Sequence, residues 1–221
     1  MMKPVSEIIP DIEKMLQTKF QAEATGHDWH HIDRVRKMAL LIHEKEGGNR
    51  RIIELAALLH DVSDHKFNGG NYELGRKQTY DILSAYNLPE DEINHIAEIV
   101  DQCSFSKNRT KSSLLSKEAQ IVQDADRLDA LGAIGIARTF AYGAHVGQPI
   151  FDPLLSESLD KIQVGEPAAN KSTINHFYEK LLLLERLMNT PTGRAIAEKR
   201  TVYLTNYLEA FFDEWEQKDF K

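Results

Sequence analysis

Apolar residues recur at spacings of three and four along almost the whole chain, and no run alternates apolar with polar residues long enough to demand a strand. A chain patterned this way buries its apolar stripes by packing helix on helix, so the predicted fold class is all-α. The segment RIIELAALLHD constrains the architecture most. Ile52, Ile53, Leu55, Ala56, Ala57, Leu58 and Leu59 leave almost no polar face, which is the profile of a helix surrounded by other helices. His60 and Asp61 then terminate a core element, where burying an unpartnered polar or charged group costs on the order of several kcal/mol. Each needs a partner, and either a bound metal or a hydrogen-bonded cap supplies one.

The flanking segments read as helices with defined faces. A first amphipathic helix is predicted over about residues 5 to 23, with Gly26 as a break. A second starts near His27 and is ended by Gly47 and Gly48; its stripe of Ile32, Val35, Ala39 and Ile42 faces the core. At 100° per residue His31 lies on the side of Val35, Met38 and Ile42, so it points inward. Further helices are predicted over about 71 to 86 and 90 to 102. After a polar, basic connector, another runs through DADRLDALGAIGIARTFAYGAH, with a bend around Gly132 or Gly135, and there Asp126 and Asp129 share a face. Residues 146 to 170 contain three prolines and two glycines. Unstructured stretches of that length are usually lids, binding segments or disordered. Two long antiparallel helices, about 171 to 189 and 193 to 217 with Pro191 at the turn, are expected to complete the bundle.

Composition limits the function classes. A chain of 221 residues with 42% hydrophobic content can bury a substantial core, and a single domain over 1–221 is expected. A formal charge of −7 argues against a nucleic-acid polymer as partner, since such binding neutralises many phosphates. A small anion remains compatible, because a metal ion reverses the local field. The lone Cys103 calls for no oxidising compartment. LAALL and LLLLERLM are too short to span a bilayer, and the N-terminal residues lack an apolar core of signal-peptide length. A cytoplasmic protein without membrane contact is the expectation.

Four separated positions carry metal-binding side chains that a bundle can gather: His31, His60, Asp61 and Asp126. Two imidazoles and two carboxylates without a thiolate suit one divalent ion that keeps water ligands, and such water can become a nucleophile. A competing arrangement pairs His27 and His31 at i, i+4, as in the zinc-binding H-E-x-x-H helix. There Asp28 occupies the glutamate position with a shorter arm, and no obvious third ligand follows.

The order H-x-x-R (His31, Arg34), then H-D (His60, Asp61), then a distant Asp126 resembles the HD-domain superfamily of metal-dependent phosphohydrolases over about residues 20 to 145. The strings HDWHHIDRV, LLHDVSDHKF and DADRLDALGAIGIARTF are similar to those of small stand-alone bacterial HD proteins, some of which are nucleotide pyrophosphohydrolases. The resemblance implies an HD-type helical bundle whose metal is held by His31, His60, Asp61 and Asp126. Mn²⁺ or Mg²⁺ is favoured, with Ni²⁺, Co²⁺ or Fe²⁺ also compatible with these donors. It further implies Asp64 as general base, although a loop carboxylate capping the helix end or pairing with Lys66 is the plainer reading of that residue. Lys66 is the expected phosphate-binding cation, with Lys107, Arg109 and Lys111 as a second basic cluster. His27 is placed at the site entrance, and Arg34 is expected to pair with a buried carboxylate such as Asp129.

Missing motifs narrow the substrate. Guanosine-tetraphosphate hydrolases carry a Glu-Asp pair where this chain has Asp64 and His65, and the G-Y-P signature of cyclic-dinucleotide phosphodiesterases is absent. His95 and His145 lie outside any di-iron motif, so one metal is expected. The expected reaction is cleavage of a (deoxy)nucleoside triphosphate to monophosphate and pyrophosphate by attack of metal-bound water. The alternatives are a nucleoside monophosphate phosphatase or phosphodiesterase using the same site, and a non-catalytic nucleotide-sensing module.

Overall fold

A computed structural model of the chain describes residues 3–23, 26–62, 73–103, 115–154 and 172–219. Nearly all regular structure among them is helical, as the periodicity predicts; the exception is an isolated parallel bridge between Lys3 and Tyr86. None of the described helices is long and apolar enough to cross a membrane. The chain divides into two compact units, Met1–Asp126 and Arg127–Lys221.

In the first unit, α1 (Ile8–Lys19) buries Ile8, Ile12 and Leu16 on one face. Helix α2 (Trp29–Glu46) starts where the Asp28 carboxylate accepts the His31 N–H at 2.8 Å, an N-cap that satisfies one orphan amide. It stops at Gly47, whose φ of 79° lies in the region that glycine alone enters without strain. The central α3 (Arg50–Leu59) is capped by the Asn49 side chain, which accepts from Arg51 and Ile52 N–H. Ile53 and Leu55 through Leu59 have no exposed surface. Helix α3 packs against α1, α2 and α5 (Glu90–Cys103), and α4 (Glu73–Leu83) covers α5. Ion pairs tie the layers: Arg36 of α2 reaches Glu13 of α1 and Glu54 of α3, while Arg51 of α3 meets Glu92 of α5 at 2.5 Å. Helix α6 (Lys117–Asp129) buries Ala119, Ile121, Val122 and Ala125.

In the second unit the chain turns at Ala130 and Leu131, with Gly132 at φ 70°, and α7 (Gly132–His145) follows. The bend therefore falls at the first of the two glycines expected to form it. The long helix predicted over 171 to 189 is replaced by a short α8 (Asn175–Glu179) and a 3-10 helix over Leu181–Leu187. Burial of the leucines accounts for the difference. Lys180 leaves helical geometry at φ −136°, and a three-residue repeat puts Leu181 and Leu184 on one buried side, which a 3.6-residue repeat would spread. Pro191 is the first residue of α9 (Pro191–Trp215), where its missing N–H costs nothing. Thr190 caps that helix by accepting the Gly193 N–H at 2.9 Å. Helix α9 packs on α7 and on the 3-10 helix, and Phe140, Phe177 and Tyr207 meet with ring centroids 5.8–5.9 Å apart.

Candidate metal centre

The first unit brings together the four side chains singled out by sequence. His31 enters from the first turn of α2, His60 and Asp61 from the end of α3, and Asp126 from α6. His31 Nε2 stands 3.2 Å from His60 Nε2, 3.3 Å from Asp61 Oδ2 and 3.6 Å from Asp126 Oδ1. His60 Nε2 lies 3.6 Å from Asp61 Oδ2 and 3.7 Å from Asp126 Oδ1. Among the described residues, His31, His60 and Asp126 offer donor atoms all within 4.8 Å of one another, and Asp61 approaches that group from the imidazole side.

Chemistry and spacing both fit a divalent cation. His60 Nδ1 lies 2.8 Å from the Ala57 carbonyl, which can only accept, so that nitrogen carries the proton and the Nε2 lone pair faces the cluster. That lone pair faces the Asp126 carboxylate at 3.7 Å and the Asp61 carboxylate at 3.6 Å, and a cation among these donors would balance the two carboxylates. Adjacent ligands about 2.1 Å from a common ion stand roughly 3.0–3.4 Å apart. The observed separations begin inside that interval and end slightly above it.

Exposure grades across the site. Both imidazole side chains are 1% exposed, whereas Asp61 is 20% and Asp126 31% exposed. Water and solutes therefore reach the carboxylate side, while the imidazoles are locked in the core. Burial by itself raises the Asp61 carboxyl. Without an ion the imidazoles can take up protons instead, and in that state the His60 charge, the hydrogen bond and charge of His31, and the charge of His27 together outweigh burial and hold it well below the usual carboxylate range.

His27 lies beside this centre, its ring centroid 5.8 Å from that of His31. It precedes α2 rather than belonging to it. With Asp28 at φ −81°, ψ 177° serving as N-cap, the i, i+4 helical geometry of an H-E-x-x-H site is not formed. Arg34 is half-buried on α2. Asp129 is buried in the second unit and pairs with Arg138 at 3.0 Å. His95 faces Glu118 at 3.7 Å. Asp64, Lys66, Lys107, Arg109 and Lys111 lie outside the described residues, as does most of the 146 to 170 segment.

Three supports escaped sequence reasoning. The Asp28 cap that orients the first turn of α2 was legible as Asp three residues before His31. The Ala57 carbonyl that fixes the His60 tautomer is a backbone atom and leaves no residue signal. The Lys19 ammonium donates to the Val62 carbonyl across 43 residues, which only the fold reveals.

The HD domain family matches residues 28–131, a span containing all four converging side chains. YpgQ of Bacillus subtilis is 34% identical over 198 residues, covering 89% of this chain and 88% of YpgQ. YpgQ has also been solved in complex with ADP; that structure has a TM-score of 0.69 and 32% identity, and the match covers 91% of this chain and 97% of the other. A crystal structure from Lactobacillus plantarum is similar with a TM-score of 0.82 and 35% identity, over 96% of this chain and 99% of that one. An HD-superfamily hydrolase from Bacillus thuringiensis is 42% identical with a TM-score of 0.72, over 96% and 98%. With two histidines and two aspartates converging inside the matched span, and with relatives this similar over nearly their whole length, the chain belongs to the HD-domain family of metal-dependent hydrolases.

Proposed function

We propose that the chain hydrolyses a (deoxy)nucleoside triphosphate to the monophosphate and pyrophosphate, with His31, His60, Asp61 and Asp126 as ligands of one divalent ion, Mn²⁺ or Mg²⁺. The observation that carries the nucleotide is the ADP complex of YpgQ, a relative that aligns with 91% of this chain. A bound ion there supplies Lewis acidity and lowers the pKa of water at the site. His31 and His60 are held rigidly by the core, and the accessible edge at Asp61 and Asp126 is the side from which a phosphate chain enters. His27, beside His31, meets the incoming phosphates.

Asp64, three residues beyond Asp61, takes the proton lost when water adds to the α-phosphorus. The bridging α–β P–O bond breaks and pyrophosphate leaves. Lys66 balances the charge that gathers on the phosphoryl oxygens. The test is a panel of nucleoside triphosphates with Mn²⁺ or Mg²⁺ in which pyrophosphate and orthophosphate are quantified separately. Pyrophosphate equimolar with monophosphate supports the proposal. Orthophosphate released from monophosphates would instead make the protein a phosphatase. Full activity in Asp61→Ala would remove the ligand assignment.

A further inference from the structure

Helix α3 ends at Leu59, and the next two residues carry half of the donor set. The Val62 N–H bonds back to the Leu59 carbonyl at 2.9 Å, closing the turn from upstream. The Val62 side chain is 1% exposed, so its peptide cannot swing without drawing that side chain out of the core. In the next peptide along the chain, the Val62 carbonyl oxygen accepts a hydrogen bond from the ammonium of Lys19, the last residue of α1. Lys19 is exposed as a residue, and partial desolvation pushes its ammonium below the usual lysine range. Asp61 thus sits beside a residue pinned at its amide, its side chain and its carbonyl.

We propose that Lys19 is a positioning residue for the metal centre: by holding the Val62 carbonyl it fixes the turn that aims the Asp61 carboxylate at the two imidazoles. The inference rests on reading the four side chains as a metal site. A positioning role and a purely electrostatic one differ in sign. A lysine near a cation site repels the cation, so removing its charge alone would tighten binding. Removing an anchor loosens it, because misaligned donors give up bond energy to the ion.

The experiment measures Mn²⁺ affinity of the metal-free protein by titration calorimetry, with the fold checked by circular dichroism. Lys19→Met is expected to weaken Mn²⁺ binding by about 5- to 10-fold, below or at the lower end of what the loss of a ligand-orienting group typically costs. Lys19→Arg, which keeps a donor and the charge, should recover most of that loss. Lys14→Met makes the same charge change from an exposed position on the same helix and should not weaken binding. If Lys19→Met does not fold, Lys19→Leu, which likewise removes both donor and charge, provides the same comparison. Unchanged or tighter binding in the Lys19 variant overturns the proposal, as does equal weakening in the Lys14 variant. A parent protein that binds no Mn²⁺ overturns the metal-site reading itself, a result distinct from failure of the Lys19 argument alone.

Discussion

Replacing Arg36 by methionine should cost the first unit about 2 kcal/mol, and most of that cost should be recoverable without restoring the arginine. Arg36 donates from Nε to Glu54 Oε1 at 2.9 Å, from Nη2 to the same oxygen at 2.6 Å, and from Nη1 to Glu13. The three side chains are 20%, 13% and 30% exposed for Arg36, Glu54 and Glu13. Breaking a fully buried pair by removing one partner costs roughly 3–5 kcal/mol, and an exposed pair is worth at most about 1 kcal/mol. The partial exposure of all three sets the expected value between those limits. Methionine keeps much of the stem, so what remains is two carboxylates with no cation among the described residues nearer than the exposed Arg50, 3.9 Å from Glu54. Neutralising them in Arg36→Met, Glu13→Gln, Glu54→Gln should therefore regain more than half of the loss. Urea unfolding of the metal-free protein at pH 7, followed by circular dichroism, measures both steps. The reasoning is refuted if the single variant loses under about 0.5 kcal/mol, since exposed pairs alone would explain that. It is equally refuted if the neutralised triple variant is no more stable than the single one. Because α2 and α3 carry His31 and His60, the single variant should also weaken Mn²⁺ binding.

Asp126→Asn keeps shape and removes charge from a direct donor, so Mn²⁺ affinity should fall on the order of 100-fold or more, beyond the usual cost of losing a group that only orients a ligand; calorimetry showing less than a tenfold change would exclude Asp126 from the ligand set. Gly143→Ala would place a Cβ 2.2 Å from Thr173 Oγ1 and should destabilise the second unit by about 1–3 kcal/mol. A thermal melt equal to the parent's would show that α7 moves away freely. For Glu118, burial raises the carboxyl, but the Asn49 N–H, its own backbone N–H and His95 hold it below its ordinary value of 4.5. A depressed folded-state value contributes stability that is fully present above about pH 4.5 and lost as pH falls through the lower folded value. Glu118→Gln should therefore be less stable than the parent at pH 7 and converge with it towards pH 3; a constant gap in urea midpoints across that range would contradict this.

Much of the site was legible because it reuses the signals of the fold. His31 falls on the apolar stripe of α2, and the pair His60–Asp61 ends a helix with no polar face, so both arguments about burial led directly to the cluster. Asp126 followed from its order in the chain. The C-terminal region was harder to read for a definite reason. Four consecutive leucines satisfy a three-residue and a 3.6-residue repeat almost equally, and the departure at Lys180 depends on tertiary packing rather than on any helix-breaking residue. The anchors of the centre were illegible for another reason. The Ala57 and Val62 carbonyls belong to every residue type alike, so only their position in space gives them a role.

The donors come from the start of α2, the end of α3 and the interior of α6, which means a bound ion would cross-link stretches of chain far apart in sequence. Tying Asp61 to Asp126 closes a loop of about 65 residues, a constraint that in a chain-entropy model is worth roughly 4 kcal/mol when the cross-link is permanent. An ion is a reversible staple, so its contribution grows with the logarithm of its free concentration. Metal supply would then govern how long the first unit survives in a cell as well as how fast it turns over substrate, and metal starvation would lower the protein's abundance together with its activity.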